Sequence, residues 1–301
     1  GSNELLVRNE YHLPNSRWYP GSGIYRDVWL ITSPPAHFIH NGTYLSTRQL
    51  GKTWEVFMDA EVVFEHLSGE KRGTIRHTIT DAQGNEILTH ENTIQLSDTV
   101  QTNKQVMTLI GPQLWDIHSP YLYTITSELF IDGERMDSLA QNLGFRHIEF
   151  DADKGRSVKI NGTCEHHVLG SLGAAMNRAA LKRQLLILKE MGVNSIRNAH
   201  NMPPEHMLDL CDELGLLLYT ESFDMWERTK TDYDYGNDFK EWWQRDLESW
   251  VRQDRNHPCV FIWGLGNEIY DTHFDRGLEI TRELHEAVRR LDYRKNAFTT
   301  L

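Results

Sequence analysis

Residues 52–65 alternate clearly: Trp54, Val56, Met58, Ala60, Val62 and Phe64 share one face, and mostly charged side chains take the other. That period of two is the pattern of a half-buried strand. Residues 75–79 and 86–90 flank the turn Asp81-Ala82-Gln83-Gly84-Asn85, and residues 122–131 and 136–139 flank Asp132-Gly133-Glu134. Two such hairpins predict an all-β sandwich over residues 36–146. Ahead of it lie two strand-like runs, at residues 4–8 and 24–31. Two strands cannot bury a core by themselves, so residues 1–35 are expected to be the end of an incomplete β domain.

From residue 147 the pattern becomes strand, helix, strand, helix. A strand is predicted near 163–166, then a helix over 177–191 with Leu181, Leu185 and Leu188 on one stripe and Gly192 as its stop. Strand 193–197 follows, then a helix opened by Pro203, with Met207, Leu208, Cys211 and Leu214 facing inward and Gly215 closing it. The apolar run 216–220 reads as a fully buried strand. A third helix over 235–255, a strand over 259–263, a fourth helix over 274–291 and the start of a fifth strand at 296–301 complete the order. Repeated βα units mean a parallel sheet, open or closed, and no glycine fingerprint supports the dinucleotide-binding kind.

The strand ends change the picture most. His166 and His167 follow the first strand, Arg197, His200 and Asn201 the second, Glu221 and Asp224 the third, Asn267 and Glu268 the fourth. Any one of these reads equally well as a helix cap or an ion pair. Four successive strands ending alike point instead to the shared rim on which a barrel carries its active site.

Composition narrows the partners. A formal charge of −12 over 301 residues argues against a nucleic-acid backbone, and no apolar run approaches the ~20 residues a bilayer crossing needs. The three cysteines, Cys164, Cys211 and Cys259, are too scattered for a disulfide framework or metal knuckle and are expected to pack as small hydrophobes. Gly1-Ser2 resembles an expression scar, so periplasmic, secreted and cytoplasmic locations all stay open.

Several motifs together resemble glycoside hydrolase family 2, the group of β-galactosidases, β-glucuronidases and β-mannosidases. The stretch Ser16-Arg17-Trp18-Tyr19-Pro20-Gly21-Ser22-Gly23-Ile24-Tyr25-Arg26-Asp27-Val28-Trp29-Leu30 is similar to the end of the family's jelly-roll domain. Leu114-Trp115, Pro120-Tyr121-Leu122-Tyr123 and Gly144-Phe145-Arg146 resemble the last strands of its immunoglobulin-like domain. Ile196-Arg197-Asn198-Ala199-His200-Asn201, Asp254-Arg255-Asn256-His257-Pro258 and Trp263-Gly264-Leu265-Gly266-Asn267-Glu268 resemble its barrel motifs. His166-His167-Val168-Leu169-Gly170 and Glu221-Ser222-Phe223-Asp224-Met225-Trp226 are nearest in wording to the bacterial β-galactosidase-like branch. The implied fold is multidomain: the end of a jelly roll over 1–35, an immunoglobulin-like sandwich over 36–146, and the first half of a (β/α)8 TIM barrel over 147–301.

Carried over residue by residue, the resemblance implies that Glu268 is the general acid/base and that Asn267 binds the sugar 2-hydroxyl. His166 and His200 would bind hydroxyls, Arg197 and Glu221 would shape the floor, and Asn201 and Asp224 would complete the substrate-binding set. The magnesium ligands of the best-known β-galactosidases fall near residues 225–227 and are not matched, so neither a metal nor a cofactor is expected. The implied activity is retaining hydrolysis of terminal β-D-galactosides, with a carbohydrate substrate and no nucleic-acid or membrane partner. A β-glucuronidase of the same family and a non-catalytic carbohydrate-binding or scaffold protein stay open as alternatives. Retaining chemistry needs two carboxyl groups ~5–5.5 Å apart. The second is expected beyond Leu301, so this chain alone is expected to be inactive. A half barrel with open strand edges is further expected to associate as a homo-oligomer.

Overall fold

The computed structural model describes residues 3–15, 23–66, 68–69, 71–149 and 158–301. Seven antiparallel strands come first: β1 (Ala36–Leu50), β2 (Thr53–Phe64), β3 (Lys71–Thr80), β4 (Glu86–Leu96), β5 (Gln101–Ile110), β6 (Tyr123–Ile131) and β7 (Glu134–Leu143). They form two sheets, ordered β1-β2-β5 and β4-β3-β6-β7. Trp54, Val56 and Met58 of β2 meet Ile79, Tyr123, Ile125 and Leu143 of the other sheet in one apolar cluster, so the sheets pack face to face as a sandwich.

Two of these strands escape the alternation rule for visible reasons. In β1 the pairing with β2 shifts between Phe38 and Thr43, where Asn41 takes a positive φ of 52°. There a Cβ on Gly42 would sit 2.8 Å from the Ile39 Cβ. Such a bulge resets which residues face inward. In β5 the inward positions include the buried Asn103 and Gln105, where Gln105 Nε2 donates to Asn103 Oδ1 at 2.7 Å.

The second half carries β8 (Gly162–Glu165), α1 (Arg178–Glu190), β9 (Ser195–Asn198), α2 (Glu205–Leu214), β10 (Leu217–Glu221), α3 (Phe239–Asp254), β11 (Val260–Gly264), α4 (Asp275–Leu291) and β12 (Phe298–Thr300). All neighbouring strands pair in parallel, in the order β12-β11-β10-β9-β8. That order never reverses, whereas an open doubly wound sheet turns back at a switch point. A sheet that advances one strand at a time under its helices is an arc of a barrel. Asn177 caps α1 by accepting from the Ala180 amide at 3.1 Å, and Gly215 ends α2 in the left-handed conformation. Helix α3 buries Phe239, Trp243, Leu247, Trp250 and Val251, a helical stripe packed onto the sheet.

The sandwich meets the barrel arc at the beginnings of its strands. Tyr44 Oη donates to Asp292 Oδ1 at 2.9 Å, and Trp115 Nε1 donates to the Asp212 carbonyl at 2.9 Å. The Asn256 side chain donates to the Thr43 carbonyl and accepts from the Leu45 amide, at 2.7 and 2.8 Å. Residue 212 lies in the last turn of α2, and residues 256 and 292 just after α3 and α4, so these contacts fall on the side from which β10, β11 and β12 begin, opposite their carboxyl ends.

Asp212 also holds the start of β11, accepting from the Cys259 amide at 2.9 Å and pairing with His257 Nδ1 at 2.7 Å. Burial alone would lower the His257 pKa, but the Asp212 carboxylate overrides it and lifts the imidazole from 6.5 to about 9. A folded-state pKa above the unfolded one adds stability that is fully present below pH 6.5 and lost as pH rises through 9. The shift corresponds to on the order of 3 kcal/mol. Urea midpoints are expected to fall from pH 6 to pH 9.5 in this chain and to fall less in His257→Gln; equal pH dependence of the two would refute this account.

Two sequence expectations differ from the structure, and a third falls outside it. Residues 4–8 and 24–31 form no strand, and Leu5, Leu6, Trp29 and Leu30 are exposed, because strands need hydrogen-bonded neighbours and no described residue supplies one. Cys164 is exposed and accepts from Arg197 Nη1 at 3.2 Å, whereas Cys211 and Cys259 pack as small hydrophobes. The Ser16–Ser22 part of the jelly-roll motif lies outside the described residues.

Candidate active site

The four strand ends converge through one hydrogen-bonded network. Parallel register sets Cys164 of β8 beside Arg197 of β9, and Glu221 of β10 beside Gly264 of β11. Glu221 is fully buried at the centre. Its Oε2 accepts from Arg197 Nε at 2.8 Å and Nη2 at 2.7 Å, and its Oε1 lies 2.7 Å from His200 Nδ1. Its backbone is tied to a neighbour too: Asn198 accepts from the Glu221 amide at 3.1 Å and donates to its carbonyl at 2.9 Å.

Arg197 Nη2 continues the network by donating to Asn267 Oδ1 at 3.0 Å. At the other end of the same amide, Asn267 Nδ2 donates to Asp224 Oδ1 at 2.8 Å. Lys230 completes the circuit, with Nζ 2.8 Å from Asp224 Oδ1 and 2.6 Å from the Asn267 carbonyl. Among the described residues each end of the Asn267 amide therefore has one partner, and its ordinary capacity includes one more, a hydrogen on Nδ2 and a lone pair on Oδ1.

The electrostatics follow from the pairing. Burial works against the Arg197 charge, but Glu221 and Cys164 more than offset it and raise the guanidinium pKa. Burial would raise the Asp224 pKa, yet the hydrogen bonds from Lys230 and Asn267 hold that carboxyl below the usual carboxylate range. His166 is pushed down by burial, then by His200 and Arg197, and so favours the neutral ring. Its ring meets that of His200 edge to face, with centroids 5.0 Å apart. Buried His167 is pushed down to about 4; it turns away from this pair toward the Asn201 carbonyl, 3.3 Å from Nε2.

Backbone geometry is unusual at the same rim. His167, Phe223 and Glu268 all take positive φ, of 53°, 73° and 45°, which non-glycine residues adopt sparingly and which tends to gather at functional sites. Gly264 is required by crowding, since a Cβ there would lie 2.4 Å from Tyr219 Cε1 and 2.9 Å from Glu221 Cγ. Gly266 is similarly enclosed by Ile269 and Trp226. These two glycines let β11 pass close to β10 and turn, with Trp226 Nε1 donating to the Leu265 carbonyl at 2.8 Å. The turn leaves Asn267 buried and Glu268 exposed.

Arg197, His200, Glu221, Asp224 and Asn267 are thus brought into one network, with His166 against it. Glu268 stands next to it in sequence and is exposed. Asn201 joins through its carbonyl, which accepts from Asn198 Nδ2 at 2.5 Å, while the residue itself is exposed. Asn198 and Lys230 are the members that sequence reasoning misses. Asn198 lies inside a matched motif but looks like a strand-end turn residue, and Lys230 lies in the charged stretch Glu227-Arg228-Thr229-Lys230-Thr231-Asp232, which reads as a solvated loop.

Residues 225–227 do not fit a magnesium site. Met225 and Trp226 are buried apolar residues, and the Glu227 carboxylate is taken by Arg276 at 2.7 Å. Among the described residues, no group of three or more His, Cys, Asp or Glu side chains is placed to hold a metal ion.

Comparison with known proteins bears on the same two halves. The family model "Glycosyl hydrolases family 2" matches residues 39–146, and the model of that family's TIM barrel domain matches residues 154–300. A β-galactosidase of Bacteroides ovatus is 41% identical over 296 residues, covering 95% of this chain and 34% of that protein. A putative β-glucuronidase of Formosa agariphila is 37% identical over 91% of this chain and 26% of its own length. The crystal structure of a family 2 member from Bacteroides cellulosilyticus superposes with a TM-score of 0.90 at 34% identity, over 95% of this chain and 37% of the other. A β-glucuronidase of Bacteroides uniformis, covalently bound to cyclophellitol-6-carboxylate aziridine, gives 0.80 at 26% identity, over 95% and 37%. The chain spans about a third of the length of the curated relative from B. ovatus.

Proposed function

For a chain that belongs to glycoside hydrolase family 2, we propose that these residues are the acid/base half of a retaining exo-β-galactosidase. The observation that carries this reading is the doubly held Asn267 amide next to an exposed Glu268, at the carboxyl end of β11. Glu268 donates a proton to the leaving oxygen and then removes one from the water that resolves the glycosyl-enzyme. Asn267 offers its remaining amide hydrogen to the sugar 2-hydroxyl, a contact that strengthens as charge develops at the anomeric carbon. His166 and His200 line the hydroxyl-binding wall, and the hydrogen-bonded Arg197–Glu221 pair forms a fixed floor. Asp224 completes the substrate-binding set and holds the Asn267 amide.

The nucleophile is a second carboxylate from sequence outside these 301 residues, consistent with the greater length of the relatives. Covalent capture of the B. uniformis relative by an aziridine supports a covalent intermediate in the family. The galactoside preference is supported by the B. ovatus relative and by Lys230. Its side chain is 0% exposed and its ammonium is engaged by Asp224 and a carbonyl, so it is not offered to a sugar carboxylate. An open barrel arc also supports association with further sequence or a second copy.

With the whole protein and a panel of aryl β-glycosides, kcat/KM is expected to be highest for the galactoside. Proton NMR of the first-formed sugar is expected to show the β anomer. A preference for the glucuronide would replace the galactosidase reading with a glucuronidase one, and turnover of none of the glycosides would favour a carbohydrate-binding protein.

A further inference from the structure

Lys230 lies in the loop after β10, and its position there is built rather than incidental. The buried Asp234 carboxylate gathers the loop, accepting from the Lys230 amide at 2.6 Å, the Thr231 amide at 2.8 Å and the Gly236 amide at 2.9 Å. This fold delivers the Lys230 ammonium into the protein, where the side chain is 0% exposed. Sequestering an ammonium costs several kcal/mol unless good acceptors replace its water. Here the acceptors are Asp224 Oδ1 at 2.8 Å and the Asn267 carbonyl at 2.6 Å.

Both acceptors act on one residue. Asp224 Oδ1 also receives Asn267 Nδ2, so Lys230 holds Asn267 twice, through its main chain directly and through its side chain by way of Asp224. The amide could otherwise rotate by half a turn and interchange its donor and acceptor ends. Arg197 on the oxygen and Asp224 on the nitrogen forbid that exchange, and Asp224 is itself fixed by the ammonium. We infer that Lys230 is a positioning residue which locks the orientation of the Asn267 amide, so that a donor rather than an acceptor faces the sugar 2-hydroxyl. This rests on the proposed function, because it assigns Asn267 to substrate.

The test uses the whole protein and two substrates, an aryl β-galactoside and its 2-deoxy counterpart. Lys230→Met is expected to lower kcat/KM for the galactoside by about 10²-fold, the cost of a catalytic contact misplaced by about an ångström. The loss for the 2-deoxy substrate is expected to be at least tenfold smaller, since it lacks the group that Asn267 meets. Adding Lys230→Met to Asn267→Ala is expected to cost no more than threefold beyond Asn267→Ala alone, because both remove one interaction. If Lys230→Met fails to fold, Lys230→Met with Asp224→Asn removes both charges of the pair and carries the same comparison. Equal losses on the two substrates, no loss, or additivity with Asn267→Ala would overturn the inference. Should Asn267→Ala itself leave kcat/KM unchanged, the functional assignment of Asn267 fails instead, and this inference with it.

Discussion

Glu268→Gln in the whole protein is expected to lower kcat/KM for an alkyl β-galactoside by about 10²–10⁴-fold, the usual contribution of a positioned general acid/base. The substitution keeps size and hydrogen-bonding capacity but cannot donate or accept a proton in the reaction. Since Glu268 is exposed on the rim, the protein should keep its fold and its melting temperature to within the small change typical of a surface substitution. Leaving-group dependence separates this role from a binding role. An aryl group that departs as a stable anion needs little protonation, so the first step should be nearly spared for an activated aryl galactoside, and the glycosyl-enzyme should then accumulate. A small anionic nucleophile such as azide should release it as the β-glycosyl azide, because it attacks without base assistance. Uniform loss across all leaving groups, with no accumulation, would remove Glu268 from the acid/base role.

Arg197→Met is the second large effect, and it acts on stability as well as on catalysis. Glu221 has no exposed surface, and its Oε2 is held by the guanidinium from two nitrogens. Removing the cation leaves the buried carboxylate with His200 but without its guanidinium, and breaking a buried pair in this way typically costs about 3–5 kcal/mol. For a domain of this size that is a fall of roughly 6–20 °C in melting temperature, readable by calorimetry. The same change withdraws the donor to Asn267 Oδ1, so activity of whatever remains folded should fall too. A cost below about 1 kcal/mol would show that Glu221 finds another partner, and would remove the pair from the role of a rigid floor.

The sequence made the strand-end network legible in its members but not in its wiring. Arg197, His200, Glu221 and Asn267 were visible because each closes a buried strand, and a polar residue at that place must be paired or used. Asp224 was visible by the same rule, yet its bond to Lys230 depends on a loop whose path Asp234 determines, and no periodic pattern encodes such a path. The β-rich half divides similarly. Strand β2 keeps apolar residues at every inward position and is plain to read. Strand β1 is bent by the Asn41-Gly42 bulge, and β5 turns Asn103 and Gln105 inward, so both hide from a rule based on alternation alone. Residues 24–31 are the converse, a strand-like run with no strand to pair with among the described residues.

The seating of the sandwich on the strand beginnings has a consequence for how such a molecule can change. Strands β10 and β11 carry two separate commitments. The starts of β10 and β11 are pledged to the neighbouring module through Asp212 and Asn256, and their far ends to the rim through Glu221 and Asn267. Substitutions in the rim loops can therefore alter what the rim binds while the scaffold's joints stay intact. Drift at the joints is filtered by stability alone. A lineage built this way is free to explore substrates at one end of its strands while holding its architecture constant at the other.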